Sequence, residues 1–271
     1  MQIEFWHAKS PSSYIGKVNH RRDNLEELSL SRIMDTEILY SFLHRIPNLK
    51  SLSLNNCFFE KIVPPKEDTE FENLGVVPNL KRLMLIDLPN LIEIGFEPDI
   101  ILERLEFLIL KNCPRMITVA PSYVSFTRLT NLEVVSCDGL QSLMSASTAK
   151  GLVQLNTMKV EKCESLIQIV RKDGEKSDRV VFQQLKALEL VSLKKLRSFC
   201  VSDCGFEFPS LEKLVVSACY NMDKFSETVP SSPILQNVDI VHGKENKRLC
   251  WEGDINATIK EIFREMVCNY V

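Results

Sequence analysis

The chain has 271 residues, of which 45% are hydrophobic and 25% charged, and a formal net charge of −3. These are ordinary globular values and exclude a disordered chain. The mixed, near-balanced charge argues against a nucleic-acid partner, which favours a basic stripe, and no run of 18 apolar residues is present to span a membrane.

Residues 1–23 show no clear repeat; Pro11-Ser12-Ser13 and the basic stretch from Lys17 to Arg22 have the composition of loop or of a degenerate edge repeat. Met1 to His7 lack a basic segment followed by an apolar one, so no secretory signal is expected. The expected location is the cytoplasm, unless an address lies elsewhere in a longer protein.

From Leu25 one phrase recurs nine times: an apolar residue, two others, an apolar residue, one other, an apolar residue, two others, then often cysteine. Its first positions are Leu25, Leu49, Leu80, Leu105, Leu129, Leu155, Leu185, Leu211 and Leu235, at intervals of 24 to 31 residues. This is the period of leucine-rich repeats. The alternating core of each phrase predicts a half-buried strand. Stacking in parallel gives an α/β leucine-rich-repeat solenoid, a horseshoe of about nine repeats with a parallel β-sheet on its concave face. The expected divisions are an irregular segment at 1–23, the repeats at 24–243 and a cap at 244–271.

A second apolar phrase follows each strand: Leu91 and Ile94, Met116 and Val119, Leu140 and Leu143, Leu166 and Ile169, Leu196 and Phe199, Met222 and Phe225. These should close the core from a mostly irregular convex side. One helix is expected between Asp35 and Arg45, where Ile38, Leu39, Phe42 and Leu43 share a face and Pro47 ends the pattern. The two long intervals hold Val63 to Asp68 and Arg171 to Arg179, which are expected as charged loops extruded from the stack.

Cys57, Cys113, Cys137, Cys163 and Cys219 occupy one slot of the repeat. Equivalent slots stack at about 4.8 Å, so the expectation is a ladder of buried free thiols rather than disulfides. Cytosolic redox conditions suit that reading. In the last segment Ile259, Ile262, Phe263 and Met266 lie on one helical face, Thr258 and Glu261 form a capping-box pattern, and Trp251 precedes them. A solenoid end exposes a raw core, so this segment is expected to cap it.

Catalytic and cofactor chemistry has no foothold. Gly16-Lys17 lacks the rest of a phosphate loop, no Gly-x-Ser-x-Gly elbow exists, and no histidine pair has metal-binding spacing. Cys200 and Cys204, with Cys219, come nearest to a metal set. The expectation is therefore no enzyme, no metal and no cofactor, and a surface that binds protein.

Strand alternation places a defined set of residues on the concave face. From the third phrase onward it contains Arg82, Met84, Ile86, Phe107, Ile109, Lys111, Glu133, Lys159, Glu161, Glu189 and Lys213. Met84, Ile86, Phe107 and Ile109 would form an apolar patch, a common mark of an interaction site. The charges beyond it alternate in sign, which suits specific polar contacts. These residues are the candidate partner-binding surface.

The openings Pro47-Asn-Leu-Lys-Ser-Leu-Ser-Leu and Pro78-Asn-Leu-Lys-Arg-Leu-Met-Leu, with Phe208-Pro-Ser-Leu-Glu-Lys-Leu-Val-Val-Ser-Ala-Cys219, resemble the repeats of plant nucleotide-binding leucine-rich-repeat disease resistance proteins, the coiled-coil class in particular. The Trp251-Glu252 element and following helix fit the same pattern. The resemblance implies an intracellular immune receptor whose repeat domain senses pathogen effectors, directly or through a guarded host protein, and packs on the nucleotide-binding domain to hold the receptor off. No P-loop lies in these residues, so that switch is not part of this chain. The other expectation from the residues is a stand-alone adaptor, such as a ubiquitin-ligase substrate receptor or enzyme inhibitor.

Overall fold

The computed structural model describes residues 2–4, 24–62, 77–94, 100–119, 124–174, 178–242, 245–250 and 253–268. In chain order the first elements are β1 (Gln2–Glu4), β2 (Glu27–Ser31), α1 (Thr36–Leu43), β3 (Ser51–Asn55), β4 (Arg82–Ile86) and α2 (Ile100–Arg104). Next come β5 (Phe107–Lys111), β6 (Asn131–Val135), β7 (Ser142–Ser145), α3 (Ala146–Lys150), β8 (Thr157–Glu161), β9 (Gln168–Arg171) and β10 (Asp178–Val181). The last are β11 (Ala187–Val191), β12 (Cys204–Glu207), β13 (Lys213–Ser217), β14 (Asn237–His242), β15 (Glu245–Cys250) and α4 (Ile255–Cys268).

Among the described residues the main sheet has 11 strands in the order β1-β2-β3-β4-β5-β6-β8-β11-β13-β14-β15. Each of the nine phrases supplies one strand, and all neighbours pair in parallel except β14 with β15. The chain is a leucine-rich-repeat solenoid. Gln2–Glu4 extends the sheet beyond the first phrase, as a degenerate edge repeat would, and β15, which was not expected, folds back antiparallel at the far end.

Alternation fixes what each strand buries. In β4, β5, β6, β8 and β11 the second and fourth residues are buried and the others half-exposed. The buried rows Leu83, Leu108, Leu132, Met158, Leu188 and Leu85, Leu110, Val134, Val160, Leu190 meet the second apolar phrase, whose twelve residues are all buried. Each such side chain contributes about 1.5–3 kcal/mol before entropy. No repeat can shield its own row, so stability comes from stacking. On β13 the equivalent outward positions, Val215 and Ser217, are buried at 4% and 2% exposure.

The same turns recur along the stack. The first residue of the phrase donates its N–H to the carbonyl three residues earlier, as Leu129 does to Phe126 at 3.2 Å and Leu155 to Leu152 at 3.3 Å. After the strand comes a residue in the left-handed region: Arg32, Asn56, Asp87, Asn112, Ser136, Lys162, Ser192 and Ala218, with φ from 50° to 62°. L-residues resist this conformation by about 1–2 kcal/mol. It persists because the N–H crosses to the next repeat: Ser136 to Glu161 O at 2.9 Å, Lys162 to Val191 O at 3.0 Å, Ser192 to Ser217 O at 2.8 Å. The following slot is the cysteine ladder. Cys57, Cys113, Cys137, Cys163 and Cys219 are buried free thiols. Each donates its S–H to the carbonyl two residues earlier, at 3.4 to 3.6 Å.

The convex side is more ordered than expected. β7 pairs with β9 and β10 with β12, all in parallel, and bridges extend both ladders to Ser198, Ser226 and Ser231. The long interval after Leu155 is thus not simply an extruded loop: Arg171 ends β9, and Asp178 to Val181 form β10. Val63 to Asp68 lie outside the described residues. Beneath β12 a phenylalanine cluster packs tightly. Phe182 stacks on Phe208 at 5.4 Å and Phe199 on Phe225 at 4.8 Å, while Phe206 meets Phe199 edge-on at 5.0 Å. Such pairs add about 0.5–1.5 kcal/mol beyond area burial.

The helix α1 starts at Asp35, whose carboxylate accepts from Glu37 N at 2.9 Å. In α4, Ile255, Ile259 and Ile262 join the core. Its N-terminal cap is a correction. Asp254 accepts from Asn256 N at 2.7 Å, and Thr258, expected as the capping hydroxyl, lies inside the helix and donates to Asp254 O at 2.9 Å. Helix onset one turn earlier leaves Glu261 in the interior. Trp251 and the side chains of Phe263 and Met266 lie outside the described residues.

Candidate functional site

The sheet register gathers the candidate residues on six adjacent strands, β4, β5, β6, β8, β11 and β13, in three rows. The first row runs Arg82, Phe107, Asn131, Thr157, Ala187, Lys213. The middle row runs Met84, Ile109, Glu133, Lys159, Glu189 and ends at the buried Val215. The third runs Ile86, Lys111, Val135, Glu161, Val191 and ends at the buried Ser217. All eleven predicted residues are partly or fully exposed on this face.

Two chemistries divide the surface. On β4 and β5, Met84 and Ile109 are direct cross-strand partners, and Ile86 flanks them. The Arg82 guanidinium carbon lies 4.6 Å from the centre of the Phe107 ring, so the aromatic face is occupied by a cation. Such a contact is worth about 0.5–1 kcal/mol at an exposed site. The patch is therefore aliphatic with a cation-covered edge, not four open apolar side chains.

Beyond it the charges neutralise one another. Lys111 pairs with Glu133 at 3.1 Å, and Lys213 with Glu189 at 2.6 Å. Glu161 accepts from both Lys162 at 2.9 Å and Lys159 at 3.0 Å. The Lys162 hydrogen bond, with Lys159 beside it, holds the Glu161 carboxyl below its usual range. The hydrogen bond to Glu161 in turn raises the Lys159 ammonium above its usual value. Alternation in sign is thus an internal network of ion pairs.

Between the two zones lies a depression of about 410 Å³, floored by Thr157 and Ala187 and walled by Phe107, Ile109, Glu133, Lys159 and Glu189. Asn131 Nδ2 donates to Thr157 Oγ1 at 2.5 Å across its upper rim. Thr157 and Ala187 were not among the predicted site residues. Their signal is size: they are the small members of a row that otherwise carries Arg82, Phe107 and Lys213. Lys162 was also missed, because it follows the strand and reaches back through its left-handed turn.

Among the described residues, no group of three or more His, Cys, Asp or Glu side chains could hold a metal ion. Cys219 stays in its ladder, donating to Ser217 O at 3.4 Å, so it does not join Cys200 and Cys204. No helix among the described residues is long and apolar enough to cross a membrane.

The chain matches the family model described as leucine-rich repeats of plant disease resistance proteins, RPS2-like, over two overlapping stretches, residues 99–164 and 124–232. It is also 26% identical over 159 residues to a probable disease resistance protein of Arabidopsis thaliana. That alignment takes in 56% of this chain but only 16% of the relative, so the chain corresponds to a small part of that protein. The matched residues contain the strands β5 to β13 and the cysteine ladder from Cys113 to Cys219, the same features that define the repeat here. The comparisons thus support a leucine-rich-repeat domain of the kind found in plant disease resistance proteins.

Proposed function

We propose that this chain is the protein-recognition domain of a cytoplasmic plant immune receptor, acting by binding and not by catalysis. Its contact surface is the concave strip from β4 to β11. One observation carries this reading: Met84, Ile109 and Ile86 sit side by side on adjacent strands next to a depression of about 410 Å³ with a polar rim. A compact apolar centre with a paired, polar surround is the anatomy of a protein interface. The partner most in keeping with it is the nucleotide-binding domain of the same receptor, held in an autoinhibited state. Effector sensing, directly or through a guarded host protein, would use the charged half around Lys159 and Glu189.

Titration calorimetry between the 271-residue chain and the nucleotide-binding domain of the receptor that carries it tests the proposal. Ile109→Asp is expected to weaken binding by about tenfold or more, the scale of one interface hot spot. Ile117→Asp, at an exposed position (64%) outside the concave strands, is expected to leave it unchanged. Equal affinity for Ile109→Asp and the parent chain would remove the concave surface from the interface.

A further inference from the structure

We propose that Cys200 and Cys204 are a site of reversible thiol oxidation, closing to a disulfide across the three-residue turn between them. Their sulfurs lie 3.0 Å apart, and both side chains are fully buried. A disulfide needs about 2.05 Å between sulfurs, so closure requires a movement of about 1 Å. The five ladder cysteines each give the S–H to a backbone carbonyl, and Cys113 and Cys137 also hydrogen-bond each other. Cys200 is directed at a second sulfur.

The backbone holds the two thiols in place from outside the turn. Cys200 bridges Ser226 of the following repeat, and the Cys204 carbonyl accepts from Thr228 Oγ1 at 3.0 Å. Cys204 also opens β12, which pairs with β10. Between these anchors Val201 and Asp203 are exposed, so the turn is the route for a small oxidant, while Val201 N donates to Gln168 Oε1 at 3.1 Å and Cys204 N to Ser202 O at 2.9 Å. Among the ladder thiols, burial pushes Cys57 up to about 11 and Cys163 and Cys219 up to about 12. Little thiolate is then present to react at neutral pH.

A peroxide supplies the chemistry. One thiol is oxidised by hydrogen peroxide to the sulfenic acid with release of one water, and the second thiol displaces hydroxide from that sulfur as a second water. Two cysteines lose two electrons and two protons in total, and the peroxide is reduced to two waters. A dithiol reductant reverses the step. Val201 also rims a convex depression with Lys195, Arg197 and Lys224, so oxidation would fix one wall of that depression. The site is separate from the concave surface, and its test does not depend on the function proposed above.

Trypsin releases residues 198–213 as one peptide containing Cys200 and Cys204 and no other cysteine. The full chain is exposed to hydrogen peroxide, alkylated under denaturing conditions and mapped by mass. The expected product is peptide 198–213 without alkyl groups and lighter by two hydrogens, restored by dithiothreitol. Oxidation is also expected to raise the Tm by about 5 °C, from closure of a short loop. Cys204→Ser should abolish that rise and Cys137→Ala should keep it. Recovery of the peptide with two alkyl groups, as a sulfinic acid, or with the new disulfide mapped to Cys113 and Cys137, would overturn the proposal.

Discussion

Asn256 completes the hydrogen bonding of Ser226 as a further strand would. Its Oδ1 accepts from Ser226 N at 3.1 Å and from Phe225 N at 2.8 Å, while its Nδ2 donates to Ser226 O at 2.9 Å. On the other side Ser226 bridges Cys200. One side-chain amide therefore stands where the next repeat's backbone would be, and α4 ends the convex ladder without offering an open edge. Asn256→Ala strands three backbone groups at a buried residue pair, and a loss of about 2–3 kcal/mol in urea unfolding is expected. A loss below about 0.5 kcal/mol would mean that Ile255, Ile259 and Ile262 hold the helix without the clasp. Asn256 also stands in an Asn-x-Thr sequon, but its amide is already engaged.

The left-handed residues give a second test. Ser192 has φ 56° and donates to Ser217 O at 2.8 Å. Ser192→Gly keeps that bond and removes the Cβ penalty, against a larger entropy cost, for an expected gain of about 0.5 kcal/mol. Ser192→Val should lose about 2 kcal/mol, since β-branching is least compatible with this region. Thermal melts of the two variants should move in opposite directions. Movement in the same direction would disprove the backbone account.

The cysteine ladder makes stability fall in alkali. Cys57, Cys163 and Cys219 are raised from 9.0 to about 11, 12 and 12 because burial disfavours the thiolate. The unfolded chain loses these protons near pH 9, while the folded chain keeps them. Their contribution is thus complete below about pH 9 and is lost as pH rises toward 11–12, by about 1.4 kcal/mol per pH unit for each cysteine. Replacing all three with alanine should flatten the decline in unfolding free energy between pH 9 and 11. An unchanged slope would show that other groups govern alkaline unfolding.

The concave ion pairs should matter little for folding. Lys213 and Glu189 have side chains 49% and 26% exposed, and Lys159 is similarly open at 38%. Exposed pairs typically contribute about 0–1 kcal/mol. Charge reversal at Glu189 or Lys159 is expected to shift stability by less than about 1 kcal/mol while altering partner affinity. If circular dichroism shows unfolding, the network is structural. If binding is unchanged in a folded variant, the charged half lies outside the interface.

The strands were legible because alternation around Leu52, Leu83 and Leu108 is a local pattern set by burial, and the cysteine slot was legible because it repeats. Other features have non-local causes. Nothing about Lys162 or Ser192 suggests a positive φ; the conformation is imposed by carbonyls that a neighbouring repeat supplies. β15 has no leucine phrase and exists because β14 leaves an edge to pair. The convex ladders escaped notice because Met144 with Val170 and Cys200 with Ser226 share no residue type. On the concave face the positions were legible, but not the pairing: Arg82 over Phe107 and the two lysines on Glu161 depend on rotamers that spacing does not encode.

The alternation within β4 to β11 separates two kinds of inheritance on one strand. Leu108 and Leu110 are buried against the neighbouring repeats, whereas Phe107, Ile109 and Lys111 face outward, tied to their neighbours only by exposed contacts such as Arg82 over Phe107 and Lys111 to Glu133. Variation can accumulate at every second residue with the scaffold held constant, and whole repeats can be exchanged while the left-handed turn and thiol slot keep the register. Such a domain can change the surface it presents faster than it changes how it folds.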